Sequence, residues 1–468
     1  TVNKLQIFSN YLESNIEGMK KSEVCFLFLL SLFCFACSDS ADKEEMEFPE
    51  KDNLKVTFPS DFSPEWAASV AGKEVTIVNP LFVTQTYSGS KPQGTIVVSS
   101  KVKRAFADVN LPSVVEYSKW VEKQEVDKLL ITSEFPLIDP CNTLRIGSEM
   151  AGVKGKVTYS TSGYHFTLTE KPSVSYNARS VAPTVNDYNL KVMSFNAENF
   201  YMYGNTGNAE TLRQHAKILA ALKEAKADIY AICEVEQGDF TVDYLCRSLN
   251  NALGEERYAW LNTPGQKSSK VQTNVFIYDK VKVLPYKEFK SYNFDNLKMR
   301  YIVQCFELKD DKAKVILAMN HFKAKTSGID KNDGQGGSAD RRVMEARECL
   351  KVYNELVAYY EDTDVLVLGD LNSYGMEDAI KVFTDAGYIN LLKKYSPAAW
   401  SYCYRGEVGY LDHSLSSPTL TSQIVGAAPW DINASEPAYW GFKYTSYYRE
   451  DPYRSSDHNP VITWVNLE

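Results

Sequence analysis

The chain has 468 residues, 44% hydrophobic and 24% charged, an ordinary globular balance with length for two or three domains and a large buried core. A formal net charge of −9 argues against a dedicated nucleic-acid coat protein, which would be basic overall. It leaves room for an enzyme that meets phosphates through a metal and a few local cations.

From the N-terminus, Met19-Lys20-Lys21 precede a 13-residue apolar stretch, "VCFLFLLSLFCFA" (24–36). That length suits a secretory signal and is too short for a mature membrane-spanning helix. Residues 1–18 read as translated leader and stay outside the fold reasoning. "CFAC" resembles a bacterial lipobox with Cys37 as the lipidated residue, although Cys34 stands where Leu is usual. The expectation is a leader and lipoprotein-type signal over 1–37, then an acidic linker over 38–55 that tethers the protein to the membrane. A simple secretory signal is the alternative. Either way the protein would be exported, as an outer-membrane or cell-surface lipoprotein or an extracellular protein, and a monomer. Cysteines 141, 233, 246, 305, 349 and 403 show no CxxC spacing, which speaks against zinc and for buried thiols.

Residues 56–170 carry short alternating strands, "KEVTIVNPLFVTQTY", "GTIVVSS", "KLLITSEF", "TLRIGSEMAGVKGKVTYS" and "YHFTLTE", with Gly-rich joints. The pattern predicts a small all-β, five-stranded barrel of the oligonucleotide/oligosaccharide-binding (OB) type, serving as ligand grip or rigid spacer. Residues 171–188, with two prolines and small polar residues, read as a linker. From 189 onward, strands such as "LKVMSFN", "DIYAICEV", "QTNVFIYD", "YIVQCFEL", "KVILAMNHF" and "TDVLVLGD" mix with helical stretches near 209–227 and 339–361. This is the texture of one layered α/β domain over 189–468.

In that domain polar residues fall at strand ends: Asn196, Glu234, Asn320-His321, Asp370 with Asn372, Asp412-His413, and Asp457-His458. Strands hold such groups at fixed distances on one rim. Glu234, Asp370 and Asp457 are hard oxygen ligands suited to Mg²⁺ or Mn²⁺, with Glu236 an alternative to Glu234. Asn196 and Asn372 can contact metal water or phosphate without adding charge. His321 and His458 can move protons, and a carboxylate such as Asp412 can fix a histidine tautomer. Phosphodiester hydrolysis needs this kit: an activated water, charge neutralisation on phosphoryl oxygens and help for the leaving oxygen. Helical His215 reads as solvated or packed, and His165 as facing outward.

The ordered motifs "VMSFNAENF", "ADIYAICEVE", "MNHFKAK", "VLGDLNSY" and "RSSDHNPV" resemble the endonuclease/exonuclease/phosphatase superfamily. "NDGQGGSADRR", "GDLNSYGMEDAI" and "GYLDHSLSS" add a closer likeness to its predicted extracellular nuclease branch. The resemblance implies a DNase I-like two-sheet α/β sandwich preceded by the small OB-like domain, and a metal-dependent nuclease using Mg²⁺ or Mn²⁺, with Ca²⁺ as an alternative. It implies metal ligands Glu234, Asn196 and Asp457. Asp370 would orient the water, Asn372 would hold phosphate, and His458 would be the base, oriented by Asp412. His321 would stabilise the crowded phosphate, Arg300, Arg341 and Arg342 would contact phosphate, and Lys323 and Lys325 would meet a nucleic-acid backbone. Two departures stand out: Asn459 replaces the branch's usual Asp, and Gln237 has no assigned role. Lipid or sugar phosphates are the alternative substrates, and an inactive surface binding protein the alternative function.

Overall fold

Apolar runs that alternate early in the chain and continue unbroken later sort the strands into two kinds of sheet. The computed structural model describes residues 54–86, 94–137, 143–262, 271–292 and 301–468; the signal, Cys37 and Arg300 lie outside these. No described helix is long and apolar enough to cross a membrane.

The first part contains β1 (Leu54–Val56), α1 (Pro64–Ser69), β2 (Val75–Ile77), β3 (Leu81–Thr86), β4 (Thr95–Ser99), β5 (Lys103–Arg104), α2 (Phe106–Val109), α3 (Val114–Val126), β6 (Leu129–Thr132), β7 (Glu149–Ala151), β8 (Val153–Ser160), β9 (Gly163–Leu168) and β10 (Ser173–Ser175). Nine of these strands form one sheet in the order β1-β2-β8-β9-β6-β4-β3-β7-β10. β2 and β3 adjoin in sequence, as do β7 and β8. Because β2 pairs with β8 at one end while β3 pairs with β7 at the other, the sheet curls back on itself. β6 and β9 run parallel across the middle. Alternate residues fill the interior, among them Val75, Ile77, Val83, Ile96, Val98, Ile131, Val157 and Phe166, all fully buried.

The helices between β4 and β6 were not legible as such. α3 starts at Ser113, whose hydroxyl accepts from Glu116 N, but Gln124 is its one buried residue. Val114, Val115, Val121 and Val126 are exposed, so no apolar stripe announces the helix. This segment, β5 to α3, leaves the first sheet and packs on the C-terminal domain. β5 joins a three-stranded sheet there, and Phe106 and Ala107 share a core with Tyr374 and Leu411.

The C-terminal domain contains β11 (Leu190–Phe200), α4 (Ala209–Ala225), β12 (Ile229–Glu236), α5 (Asp239–Leu253), β13 (Tyr258–Asn262), β14 (Gln272–Asp279), β15 (Val283–Tyr292), β16 (Tyr301–Leu308), β17 (Lys314–His321), α6 (Ala339–Tyr360), β18 (Val365–Asp370), α7 (Asp378–Asp385), β19 (Ile389–Asn390), α8 (Leu391–Tyr395), β20 (Tyr402–Tyr404), β21 (Glu407–Gly409), β22 (Asp412–Ser416), β23 (Ile424–Pro429) and β24 (Val461–Val465). Two six-stranded sheets result, β13-β14-β12-β11-β24-β23 and β15-β16-β17-β18-β22-β19. Between them lie Val192, Ile229, Ala231 and Phe276 from one sheet and Ile302, Leu317, Met319 and Leu366 from the other. The outer face of the first sheet, through Met193, Phe195 and Ile232, packs on Ile218, Leu222, Val242 and Leu245 of α4 and α5. The outer face of the second, through Val303, Ile316 and Val367, packs on Ala346, Cys349 and Tyr353 of α6. Central strands are thus buried on both faces, which is why their sequences are unbroken apolar runs. Each fully buried Val, Leu or Phe contributes roughly 1.5–3 kcal/mol. Five cysteines, at 233, 246, 305, 349 and 403, are free thiols.

Candidate active site

The strand pairing brings the rim residues together. Parallel β17 and β18 set His321 opposite Asp370, and antiparallel β22 sets Asp412 opposite Asp370. β11 and β12 are parallel neighbours in the facing sheet, and each is irregular where its polar residue sits, between Asn196 and Phe200 and between Ile232 and Val235. Glu198, Asn199, Glu234 and Asn372 all have positive φ, of 52°, 56°, 58° and 46°. Such conformations cost free energy in non-glycine residues and concentrate where side chains are re-aimed for chemistry. Gly369 shows how tight the rim is: its φ is 115°, and a Cβ there would stand 2.0 Å from Asn320 O.

The result is one buried constellation. The Asn196 amide donates to Glu234 Oε1 (3.3 Å) and Asp370 Oδ2 (3.1 Å). Asn199 N donates to Glu234 Oε2 (2.9 Å), and Asn372 N to Asp370 Oδ1 (2.8 Å). His321 Nε2 lies 3.6 Å from Glu234 Oε1 and 3.8 Å from Asp370 Oδ2. His458 Nδ1 donates to Asp412 Oδ2 at 2.7 Å, while its Nε2 is 3.9 Å from Asp370 Oδ2. Ser456 Oγ donates to Asn196 O (2.7 Å) and accepts from His458 N (3.2 Å), pinning the C-terminal loop to β11.

Charge in this space is lopsided. Burial, with Asp457 adding to it, pushes the Glu234 carboxyl up. Asp370 is pushed up to about 7, by burial first, with His458 pulling against it and Asp412 adding to it. Burial pulls His458 down, but the carboxylates of Asp412, Asp370 and Asp457 outweigh it and hold the imidazole well above its usual value. Glu198 is raised by burial and by Asp457. Carboxyls crowded in a dry site favour a cation among them. The donor set fits a hard ion: Glu234 on β12 and Asp457 in the loop before β24 offer carboxylate oxygens, while Asn196 on β11 turns its amide nitrogen to Glu234 and its Oδ1 to Glu198 N. Asp370, Asp412 and His458 also place ligand-type atoms within 4.8 Å of one another. There the imidazole Nδ1 is already engaged by Asp412, which turns Nε2 toward Asp370.

Several sequence expectations land together: Asn196, Glu234, His321, Asp370, Asn372, Asp412 and His458 surround one spot, and Asp457 acts electrostatically on Glu234 and His458. Asn372 is turned inward, its amide donating to Phe322 O (3.1 Å) and Asp370 Oδ2 (3.3 Å), so it braces Asp370 here. Glu236 is a structural acid that accepts from Tyr203 N and Thr241 Oγ1, whereas Glu234 faces Asn196 and His321. Asn320 is locked under Tyr353, and His413 donates to Ser373 O, so neither belongs to the site.

Arg342 requires correction. It is fully buried, and its guanidinium donates to Ser373 Oγ, Lys323 O, Gly337 O, Gln335 O and Glu377 Oε2. All five of its donors are committed, so it stitches the loop before α6 to the loop after β18 and has nothing left for a phosphate. Lys325 is bound to Glu377 under Tyr374. Arg341 pairs with Glu345 at 3.1 Å. Residues that sequence reasoning missed are Glu198, which pairs with Lys443, and Tyr402, whose ring stacks on His458 with centroids 4.4 Å apart. Glu198 lay inside a quoted motif, "VMSFNAENF"; nothing in the sequence announces the Tyr402 stack.

Two face-to-face sheets with acids, amides and a histidine dyad on one rim define a phosphoesterase of the DNase I-like class. The chain belongs to the endonuclease/exonuclease/phosphatase family, whose sequence profile matches residues 193–458. Enzymes of this family generally use divalent metals. Similar folds occur in an endonuclease/exonuclease/phosphatase from Bacteroides vulgatus (14% identity, 60% of this chain and 99% of that one, TM-score 0.41). They occur too in a mannosyl-6-phosphatase from Bacteroides thetaiotaomicron (15%, 59% and 100%, 0.42) and in D. rerio TDP2 complexed with single strand DNA product (15%, 59% and 99%, 0.40). No curated protein matches the chain.

Proposed function

We propose that this phosphoesterase is an exported, divalent-metal-dependent phosphodiesterase that hydrolyses DNA or RNA. The observation that carries the reading is the Asp412–His458 dyad, closed at 2.7 Å and aimed by its free Nε2 toward Asp370. Asp412 fixes the tautomer. Neutral, His458 takes a proton from water at Nε2; protonated, it donates to a phosphoryl oxygen. Asp370, held by Asn196 and Asn372, orients that water. His321, between Glu234 and Asp370, meets the developing charge on the phosphoryl group. A Mg²⁺ or Mn²⁺ held by Glu234, with Asp457 and Asn196, would supply charge neutralisation on the phosphoryl oxygens. The extracellular-nuclease motifs supply the substrate class, and the apolar stretch before Cys37 supports export and a lipid anchor.

The test is turnover of plasmid DNA and RNA by the purified protein in Mg²⁺, Mn²⁺ or EDTA. Metal-dependent cleavage that falls by about 10³-fold in Glu234→Ala supports the reading. Intact substrates under all conditions, with wild type and Glu234→Ala alike, overturn it. A second reading, hydrolysis of sugar or lipid phosphates, is favoured by the net charge of −9 and by the withdrawal of Arg342 into the interior. Inositol phosphates and sphingomyelin in the same assay separate the two.

A further inference from the structure

Tyr402 opens the short hairpin β20–β21, whose third strand is β5 of the N-terminal part. Its ring lies on the His458 imidazole at 4.4 Å with an interplanar angle of 28°. Asp412 holds one edge of the imidazole, and Tyr402 covers a face. A ring held by one hydrogen bond can still swing about that bond; a stacked neighbour removes this freedom.

The hairpin is itself gripped from the N-terminal part. β5 pairs with β21 through Glu407 opposite Lys103 and Val408 opposite Arg104, and Ala105 N donates to Val408 O at 2.9 Å. Arg104 donates to Ala398 O (3.1 Å) and Ala399 O (2.7 Å), just before the hairpin. Arg104 also pairs with Asp108, whose other oxygen accepts from Tyr410 N (3.1 Å), just after it and two residues before Asp412. One ion pair therefore clamps both ends of the segment that presents Tyr402 and Asp412. Trp120 of α3 donates to Glu407 Oε1 (3.3 Å), and Tyr402 packs against the core that contains Phe106 and Leu411.

We propose that Tyr402 is a positioning residue for His458, and that the N-terminal part holds it in place through the Arg104–Asp108 clamp on the hairpin. The inference rests on the reading of His458 as the base, and it makes the N-terminal part a component of the catalytic wall rather than a spacer.

The full chain carries five histidines, few enough for their ring protons to be resolved by NMR, with His458→Gln assigning the one concerned. An aromatic ring stacked at this distance shifts the imidazole Cε1 proton upfield. In Tyr402→Leu that shift disappears; in Tyr402→Phe it stays; in Arg104→Met, which removes the clamp, it shrinks. With a phosphodiester substrate, Tyr402→Leu loses about tenfold or more in kcat with KM little changed, Tyr402→Phe keeps wild-type kcat, and Arg104→Met falls between. The proposal is overturned if the His458 proton is unshifted in wild type, if Tyr402→Leu turns over like wild type, or if Tyr402→Phe is as impaired as Tyr402→Leu. A rise in KM at constant kcat also overturns it, since that marks a substrate contact. If the wild type cleaves no phosphoester, the functional reading fails while the NMR comparison still decides whether Tyr402 holds His458.

Discussion

Asn459, which departs from the motif that the sequence resembles, is spent on structure. Its oxygen accepts from Asn433 N (2.8 Å) and Ala434 N (2.9 Å), and its amide donates to Trp400 O (3.0 Å) and Asp431 Oδ1 (2.9 Å). Every hydrogen-bonding site of the amide is used, in a fully buried position. An aspartate would keep both acceptor contacts but turn a carboxylate onto Asp431 and onto a carbonyl. Asn459→Asp should therefore destabilise the protein by on the order of 3 kcal/mol, with no gain in activity. Adding Asp431→Asn restores one donor between the two side chains but takes an acid from buried Arg145, so thermal melting of the double variant should recover only part of the loss. If Asn459→Asp melts like wild type, the amide's two donors are dispensable. The Asp usual in the nuclease branch that the motifs resemble is then a structural alternative to the Asn–Asp pair found here.

At the scale of elements, the strand ends were legible and the helix faces less so. Apolar runs ending in Asn196, Glu234, His321 and Asp370 place those residues on a rim because a strand buried on both faces can offer a polar group to a cleft only where it ends. Parallel pairing of β17 with β18 then sets two rim residues side by side, and Gly369 is part of that arrangement. Gly369→Ala would drive a Cβ to within 2.0 Å of Asn320 O at a φ of 115°. A loss of about 3 kcal/mol or more in urea denaturation is expected, with Asp370 displaced from Asn196. Arg342 was misread although α6 held a clue: Arg342, Glu345, Ala346, Cys349 and Tyr353 recur at helical spacing on the buried face. Tyr402 left no such trace, because a stack between residues far apart in sequence is set by tertiary packing alone. His215 on α4 was legible only as solvated or packed. Its ring lies beside Phe200 and Tyr244, its Nε2 finds no hydrogen-bond partner, and burial pulls it down to about 4. Between pH 6.5 and 4 the unfolded chain binds a proton there that the folded one does not, so stability falls as pH drops through that window. His215→Phe should remove roughly 3 kcal/mol of that acid-side loss, seen as a flatter melting temperature against pH. Parallel curves for the two proteins would mean that the ring is solvated on opening.

At the scale of the described chain, a loop helps to join the N-terminal sheet to the C-terminal domain. The chain from Asn53 to Glu468 forms one compact unit. The long connection between β23 and β24 carries Tyr439, Tyr444 and Tyr447 into the hydrophobic core of the N-terminal sheet, while its Trp430 and Ile432 sit in the core of α4, α5 and the first C-terminal sheet. Charge follows the same route. Arg145, with 1% of its side chain exposed, lies 2.8 Å from Glu436, which is fully buried, and 3.1 Å from Asp431. Arg179 reaches Glu436 at 2.7 Å and lies over the Tyr453 ring at 4.2 Å. The loop that ends in Asp457 and His458 therefore belongs to both hydrophobic cores. Two cores that share a covalent segment and a buried ion-pair network should unfold together, and calorimetry of the wild type should show one transition. Glu436→Ala leaves Arg145 and Arg179 facing each other without the buried acid they share, at a cost of about 3 kcal/mol placed at the junction of the two parts. The expected result is a lower first transition, separated from a second one close to the wild-type temperature, with turnover lost at the first. Two transitions already present in the wild type would contradict this coupling, because the N-terminal core could then melt without disturbing the segment that carries His458.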